Sequence, residues 1–262
     1  MIKPMRRTGL SRLAALAAIT CASVVAAAVV EAEPRAEFEA GRGADRLSND
    51  FDPWRNDYVE GEYSWLRFAK VRGRLNRTTR FNKTDTETIF GIAHPLWPDA
   101  VGQVQVSSSR PAHFLPERSA ELGLTQSVGG GLVIGGLLRR REYANSEVET
   151  VKPGGEWYFD VYRIAYAYEF SRLDTGDSGA VHSFSGSKYY GERSSMNLVL
   201  AQGRGIEKIS ETRVEVFDTR GVALWGRHWW GASWGVTYGV RHLVQGDFYE
   251  LTGAHAGIRY GF

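Results

Sequence analysis

The sequence predicts an all-β fold, a transmembrane antiparallel β-barrel that follows a cleaved signal peptide. Three observations support this prediction: a leader at the N-terminus, apolar residues that alternate with polar or small ones along most of the chain, and a terminal aromatic residue, Phe262, in register with the last apolar row. Strands with one apolar and one polar face are typical of barrels in the outer membrane of Gram-negative bacteria.

The first 32 residues have the composition of a secretory leader, so they are set apart from the folding argument. Four basic residues precede an apolar run over residues 13–30, and Val30-Glu31-Ala32 offers a small-x-small cleavage site before Glu33. The run is long enough to span a membrane, so an uncleaved anchor is the alternative. Cys21 follows a poor lipobox, which disfavours lipidation, and the mature chain then has no cysteine and needs no disulfide.

Removal of the leader leaves a nearly neutral protein. The 32 Lys and Arg residues fall by the four in the leader to 28, and the 30 Asp and Glu residues fall by one to 29. A protein that binds nucleic acid is expected to keep a basic patch, so we expect no nucleic-acid partner. Residues 33–56 are polar and follow no strand or helix period, which predicts a flexible periplasmic lead-in before a barrel over residues 57–262.

Alternation with a period of two is clearest in three rows, whose apolar members are expected to face lipid. These rows are Tyr162, Ile164, Tyr166, Tyr168 and Phe170; Trp234, Val236, Tyr238 and Val240; and Ala254, Ala256, Ile258, Tyr260 and Phe262. A soluble sandwich also alternates, so period two alone does not separate the two classes. The leader and the terminal row favour the barrel. Ile258, Tyr260 and Phe262 resemble the signal read by the bacterial barrel-assembly machinery, which is therefore an expected partner.

Strand starts are marked near residues 57, 70, 84, 99, 117, 131, 147, 160, 180, 194, 213, 232 and 250. Single-chain bacterial barrels have even numbers of strands, so one of these thirteen starts is spurious or one strand has been missed. We predict twelve strands, with fourteen as the alternative.

Short motifs follow one another in a set order over nearly the whole predicted mature sequence: Thr79-Arg80-Phe81 with Asp85, His94-Pro95-Leu96, Leu115-Pro116-Glu117, Gly155-Glu156-Trp157-Tyr158, Tyr189-Tyr190, Gly203-x-Gly205-Ile206-Glu207, Gly246-Asp247-Phe248-Tyr249 and Gly257-Ile258-Arg259-Tyr260-Gly261-Phe262. In the order of these motifs the chain resembles the YaiO family of outer-membrane β-barrel proteins. The resemblance implies an outer-membrane barrel and a link to surface polysaccharide production. Some relatives carry helical repeats before the barrel, and any role of those repeats is not transferred to this chain.

One predicted strand places basic and polar residues on a single face, namely Lys70, Arg72, Arg74, Asn76, Thr78 and Arg80. Because charge against lipid is costly, this row is expected to face the lumen, where Glu60, Glu62, Asp85 and Glu87 of neighbouring strands could meet it. Two interpretations follow. The row attracts anionic groups such as uronates or phosphates, or the charges form ion pairs that plug and stiffen a narrow barrel.

Two other groups of residues are expected at the membrane boundary. Arg139, Arg140 and Arg141 cannot all face one side of a strand, so they predict a strand end that is either a solvated rim or a contact with lipopolysaccharide phosphates. The indoles of Trp225, Trp229, Trp230 and Trp234 are expected at the interface between acyl chains and water, with sugar stacking as the alternative.

Catalytic chemistry finds little support in the sequence. His182 is adjacent to Ser183, but neighbouring residues of a strand face opposite sides, and no Gly-x-Ser-x-Gly elbow occurs. The histidines are dispersed without His-x-x-x-His or paired Cys spacing, so no metal site, cofactor or catalytic residue is predicted. The expected function is a non-enzymatic outer-membrane barrel, a narrow pore or surface component for polysaccharide or small-solute passage, in contact with outer-membrane lipid and lipopolysaccharide. The alternatives are an outer-membrane lipid-modifying enzyme and a soluble periplasmic carbohydrate-binding β-sandwich.

Overall fold

The computed structural model describes residues 35–49, 51–191, 193–210 and 213–262, so the predicted leader and its cleavage site lie outside the described residues. These residues form fourteen strands, each hydrogen-bonded to its neighbours in chain order. The barrel closes where β1 pairs with β14. The strands are β1 (Arg35–Leu47), β2 (Trp54–Leu66), β3 (Ala69–Arg80), β4 (Lys83–Trp97), β5 (Ala100–Ser109), β6 (Arg118–Gly129), β7 (Leu132–Tyr143), β8 (Ser146–Phe159), β9 (Tyr162–Leu173), β10 (Ser178–Tyr190), β11 (Ser194–Ser210), β12 (Arg213–Trp230), β13 (Trp234–Gln245) and β14 (Tyr249–Gly261).

The prediction of twelve strands is wrong, and the alternative of fourteen agrees with the structure. The thirteen starts correspond in order to β2 through β14, so none was spurious and the missed strand is β1. The predicted lead-in of residues 33–56 is wrong for the same reason, because β1 covers Arg35–Leu47 and β2 begins at Trp54. The outward face of β1 bears small and charged residues instead of a long apolar row, so the period of two was hidden.

All fourteen pairings are antiparallel, so one end of the barrel carries the start of β1 and the end of β14, and the other carries the connections after odd-numbered strands. We call these the terminal end and the loop end. Terminal-end turns such as 130–131 are short. Gly131 has φ +79°, and a Cβ atom added to it would lie 2.1 Å from the carbonyl oxygen of Tyr158. Only glycine fits this turn. The barrel closes at this end by two backbone hydrogen bonds of 3.0 Å between Ala36 and Phe262.

The outer surface of the barrel is an apolar band. On β9 the side chains of Tyr162, Ile164 and Phe170 are exposed, whereas Arg163 and Ser171 are buried on the inner face. Such a continuous apolar surface is not tolerated in water by a monomeric protein but suits the acyl chains of a bilayer. The soluble β-sandwich considered from the sequence is therefore wrong, because a single closed sheet has no second sheet to cover this band. Among the described residues no helix is long and apolar enough to cross a membrane.

Two clusters of buried apolar residues lie at the loop end, inside the barrel mouth. One cluster consists of Leu47, Trp54, Tyr249 and Leu251, with Phe51, Phe81, Leu243 and Phe248 packed against it. A second cluster consists of Tyr143, Val148, Leu173 and Ile206, with Val216 packed against it. The two clusters narrow the mouth from opposite parts of the wall, because they join strands at the β1/β14 seam and strands β7 to β12 respectively.

Candidate functional site

The inner wall of β3 carries the basic row that the sequence singled out. Asn76 and Thr78 are buried on this face, while Leu75 on the alternate face is exposed to the surroundings of the barrel. Arg72 Nη2 donates a 2.5 Å hydrogen bond to Gln105 Oε1 on β5, across the intervening β4. Side chains two strands apart reach each other on the concave face of a closed sheet. Arg72 therefore points into the lumen.

Three of the four acidic residues expected opposite the row meet it in the lumen. Arg74 Nη1 lies 3.3 Å from Glu60 Oε2, and Lys70 Nζ lies 3.1 Å from Glu62 Oε2. Glu87 accepts a 3.1 Å hydrogen bond from the amide of Asn76 instead of pairing with a cation in the row. The guanidinium of Arg74 also lies 3.9 Å from the centre of the Tyr58 ring. Most of the basic row is thus held by neutral or acidic neighbours on β2, β4 and β5.

Asp85 stands apart from the row although Thr78 of β3 is its cross-strand neighbour. Its fully buried carboxylate accepts three 2.9 Å hydrogen bonds from the backbone N–H groups of His113, Phe114 and Leu115. The loop over residues 110–117 is thereby tied to the inner wall. Sequence reasoning missed this contact, because a bond from a carboxylate to backbone N–H groups depends on the path of the loop and leaves no side-chain pattern.

Arg80, the last member of the row, contacts aromatic rings near this loop. Its guanidinium carbon lies 4.3 Å from the Trp54 ring centre and 5.5 Å from the Phe114 ring centre. Phe114 is buried at 3% exposure. Arg80 therefore belongs to the loop-end mouth, while Lys70, Arg72 and Arg74 lie nearer the terminal end of the same strand.

A network at the β1/β14 seam was not foreseen. Arg259 donates from Nε to Glu37 at 2.5 Å and from Nη1 to Glu39 at 2.8 Å, and Glu60 lies 4.0 Å from the same Nη1. Glu39 also accepts hydrogen bonds from Tyr58 at 2.5 Å and from Thr237 at 2.7 Å. Glu37 and Glu39 were assigned to the lead-in. The alternation of Glu37 and Glu39 with Ala36, Phe38 and Ala40 was the available signal.

Arg193, in the turn after β10, extends the seam network at the terminal end. It donates to Glu37 and, at 2.8 Å, to the carbonyl oxygen of Ala232. Its guanidinium carbon stacks 3.3 Å from the centre of the Trp229 ring. One turn residue therefore connects β1, β12 and the turn before β13 on the inside of the barrel.

Ion pairs continue around the remaining wall. Each joins a basic and an acidic side chain of the inner face: Arg241 with Asp45 at 2.6 Å, Arg139 with Glu121 at 2.8 Å, Lys152 with Glu169 at 3.2 Å, and Arg163 with Glu156 at 2.8 Å. The Arg139–Arg141 cluster is split across the sheet. Arg139 and the buried Arg141 face inward, whereas the exposed Arg140 pairs with Glu147 at 2.6 Å. The lumen wall is largely self-neutralising.

The residues of the expected assembly signal share the outward face of β14. Ile258 and Phe262 are 58% and 68% exposed, and the ring of Tyr260 packs 4.8 Å from that of Trp234 on β13. Of the four tryptophans expected at the interface, Trp230 and Trp234 are exposed on the outer face at the terminal end. The expectation is wrong for Trp229, which is buried on the inner face, and for Trp225, which lies on the same face of β12.

No catalytic constellation was predicted, and the residues considered for one are separated. His182 faces outward, where its Nδ1 lies 2.8 Å from the hydroxyl of Tyr166, while Ser183 occupies the alternate face of β10. Within the part of the chain that the structure describes, no group of three His, Cys, Asp or Glu residues could hold a metal ion.

Comparison with known proteins gives a family match and a fold match. The model of the YaiO membrane β-barrel domain matches residues 35–208. Among solved structures, the CymD monoaromatic hydrocarbon channel superposes with a TM-score of 0.58 at 8% identity, covering 88% of each chain. The Acinetobacter baumannii outer-membrane protein Omp33 superposes with a TM-score of 0.50 at 8% identity, covering 86% of this chain and 98% of that one. These structural similarities show the fold alone. No curated protein matches the sequence.

Proposed function

Because the chain belongs to the YaiO family of membrane β-barrel proteins, we propose that it is a non-enzymatic barrel of the Gram-negative outer membrane that forms a narrow polar pathway. The permeant would be a small polar solute or a segment of an anionic polysaccharide. A leader cleaved before Glu33 would deliver the chain to the periplasm, and the outward row ending at Phe262 would present it to the barrel-assembly machinery. Both steps are part of the proposal.

The observation that carries this proposal is the charged inner wall. A lumen lined with ion pairs such as Arg74 with Glu60 and Arg241 with Asp45 is polar but filled with long side chains. Such a lumen favours hydrated or hydroxyl-rich permeants over apolar ones, and it leaves much less space than an open porin channel. The loop 110–117 and the apolar clusters at the loop end would restrict passage further.

Arg72 supports the preference for anionic permeants. Its guanidinium is hydrogen-bonded to the neutral Gln105, whereas Arg74 and Lys70 form ion pairs with Glu60 and Glu62. A guanidinium in a narrow lumen can donate two hydrogen bonds to one carboxylate or phosphate. It would therefore act as a local attraction for an acidic sugar passing through the barrel.

The test is single-channel recording on the refolded mature protein in planar bilayers, in salt alone and with anionic or neutral oligosaccharides of matched length. We expect small discrete conductance steps and transient blockade by the anionic oligosaccharide at lower concentration than by the neutral one. Large, open-porin conductance would contradict the narrow lumen. Absence of any conductance and blockade would contradict the transport role and favour a structural component of the surface.

A further inference from the structure

The outer face of β1, β2 and β3 carries a basic patch at the loop end. Four arginines form it: Arg42 and Arg46 on β1, Arg55 on β2 and Arg77 on β3, all exposed. They share this face with the lipid-exposed side chains of Phe38, Val59 and Leu75, because each of these lies an even number of residues from an arginine of the same strand. The patch is therefore separate from the lumenal row and continuous with the apolar band.

Strand register draws the arginines together. Arg42 is directly opposite Asp57, and Asp57 is directly opposite Arg77, so these three residues lie side by side on adjacent strands. Adjacent strands are about 4.8 Å apart, which places the backbones of Arg42 and Arg77 about 10 Å apart. Arg55 follows two residues away on the central strand. Three guanidinium groups thus surround a single carboxylate.

On the outward faces of β1–β4 and β14, the described acids near the patch are Asp57 and Glu250, against four arginines. Arg42 bonds to Asp57 at 2.5 Å. The other outward acid at this end of the seam is Glu250, two residues beyond the Thr252 that pairs with Arg46. Outward threonines complete the border on β3 and β4, where the hydroxyls of Thr79 and Thr84 lie 2.9 Å apart. The patch therefore combines excess positive charge with hydroxyl donors, the chemistry that binds phosphate.

The apolar band is unusually short beneath the patch. On β1 the outward positions before Arg42 are Ala36, Phe38 and Ala40, a span of about 13 Å along the strand, whereas the apolar row of β9 spans about 26 Å from Tyr162 to Phe170. Lipid-facing bands are about 25 Å tall. Cations that begin this close to the band need anionic partners at the level of the headgroups, because arginine against acyl chains is costly.

The surface beside the patch can also accept an acyl chain. Gly61 and Gly73 are paired on the outer face, and nothing lies within 4 Å of the Cβ position of Gly73. The ring of Phe38 lies 3.3 Å from the Cβ position of Gly61 and forms one side of this shallow trough. The floor of this trough is bare backbone, and one outward row, Ala40, Val59 and Leu75, separates it from the phosphate-binding groups.

From this geometry we propose that the outer face of β1–β3 is a specific binding site for a phosphorylated lipid of the leaflet at the loop end. The phosphate would lie among Arg42, Arg55 and Arg77, with Arg46 at the edge, and an acyl chain would lie along Gly73. The inference rests on the proposed membrane placement of the barrel but not on conduction, since the binding measured below does not require a pore.

The experiment measures binding to the refolded mature protein in a zwitterionic detergent, with bis-phosphorylated lipid A, dephosphorylated lipid A and inorganic phosphate as probes. The test variant is Arg42→Gln/Arg55→Gln/Arg77→Gln. The matched control is Arg118→Gln/Arg172→Gln/Arg220→Gln, which removes the same charge from exposed outward arginines on β6, β9 and β12. Heat-modifiable migration establishes that each variant is folded before binding is measured.

We expect the test variant to bind phosphorylated lipid A about tenfold or more weakly than the wild type, because two or more charge-assisted hydrogen bonds are lost. The control variant and the wild type should bind alike, and dephosphorylated lipid A should bind both weakly. If both variants bind phosphorylated lipid A equally more weakly than the wild type, binding follows general electrostatic attraction and not this patch, and the proposal is overturned. It would also be overturned by undiminished binding to the test variant, by equal binding of dephosphorylated lipid A, or by competition from inorganic phosphate at the same concentration as the lipid.

Discussion

Arg259 of the last strand donates a 2.5 Å hydrogen bond from Nε to Glu37 of the first strand, so these two strands are joined inside the lumen. The same guanidinium reaches Glu39 at 2.8 Å, and the three side chains are at most 10% exposed. One cation thus pairs with two acidic groups that lie side by side on the inner face of β1, and Arg193 is a second cation at Glu37. Seam closure depends on this ion pair as well as on the backbone hydrogen bonds between β1 and β14.

Replacing Arg259 should therefore destabilise the closed barrel. In Arg259→Met, Glu37 keeps its ion pair with Arg193 but Glu39 loses the guanidinium of Arg259, and breaking a buried ion pair by removing one partner costs about 3 to 5 kcal/mol. Urea unfolding of the refolded barrel, followed by heat-modifiable migration, measures the change. The control is Arg140→Met, whose exposed pair with Glu147 should contribute about 0 to 1 kcal/mol. Equal midpoints for the two variants would show that the seam does not depend on this network.

The loop 110–117 should be released by Asp85→Ala. The variant removes the acceptor of three backbone hydrogen bonds and leaves those N–H groups without their partner. We expect faster hydrogen exchange and protease cleavage within the loop, and a larger conductance if the loop restricts the pathway. Asp177→Ala, in the exposed loop 174–177, is the matched control. A loop that stays equally protected in both variants would contradict a role for Asp85 in holding it.

Phe262 is expected to matter for assembly more than for passage. It stands 68% exposed at the end of the outward row on β14, and its ring stacks on Phe38 of β1 at 6.0 Å. Deleting it should lower the amount of folded barrel in the membrane several-fold while leaving the conductance of each assembled channel unchanged. Phe184→Ala removes a similarly exposed lipid-facing ring and should keep normal yield. Normal yield after the deletion would argue against recognition of this residue.

Period-two alternation, together with the leader and the terminal row, predicted the fold class. Alternation also marked the starts of thirteen of the fourteen strands, because lipid on one side and water on the other impose opposite demands on alternate residues. It failed at β1, where the outward residues Ala36, Ala40 and Ala44 are small and Arg42 is charged, so the apolar face carries little signal. The basic row on β3 was visible in the sequence because its charges are concentrated on one face of the strand. The hydrogen bonds of Asp85 to the loop 110–117 and the contacts of Arg193 with Glu37 and Ala232 depend on the paths of loops and turns, which alternation does not describe.

Ion preference should follow Arg72 more than its neighbours. Lys70 and Arg74 lie 3.1 Å and 3.3 Å from carboxylates, so replacing either one removes a cation and frees an acid in the same part of the lumen. Arg72 is bonded to the neutral Gln105, so Arg72→Gln removes positive charge without exposing a paired acid. In a pathway lined by fixed charges, ions of opposite sign are concentrated. The wild-type barrel is expected to prefer anions weakly. Arg72→Gln should shift the reversal potential in a salt gradient toward the equilibrium potential of the cation.

The joint replacement of Lys70, Arg72, Arg74 and Arg80 by Gln should extend this shift to clear cation preference, because Glu60 and Glu62 then face the lumen without their cations. Arg172→Gln, which removes an exposed arginine from the outer face of β9, should leave the reversal potential unchanged. Since Cys21, within the predicted leader, is the only cysteine of the sequence, Arg72→Cys also allows the position to be labelled. A water-soluble thiol reagent should reach it through the lumen, whereas a lipid-restricted reagent should not. An unchanged reversal potential in the fourfold variant would leave these residues as a structural ion-pair plug, because charges that steer permeant ions cannot be removed without changing the ion preference.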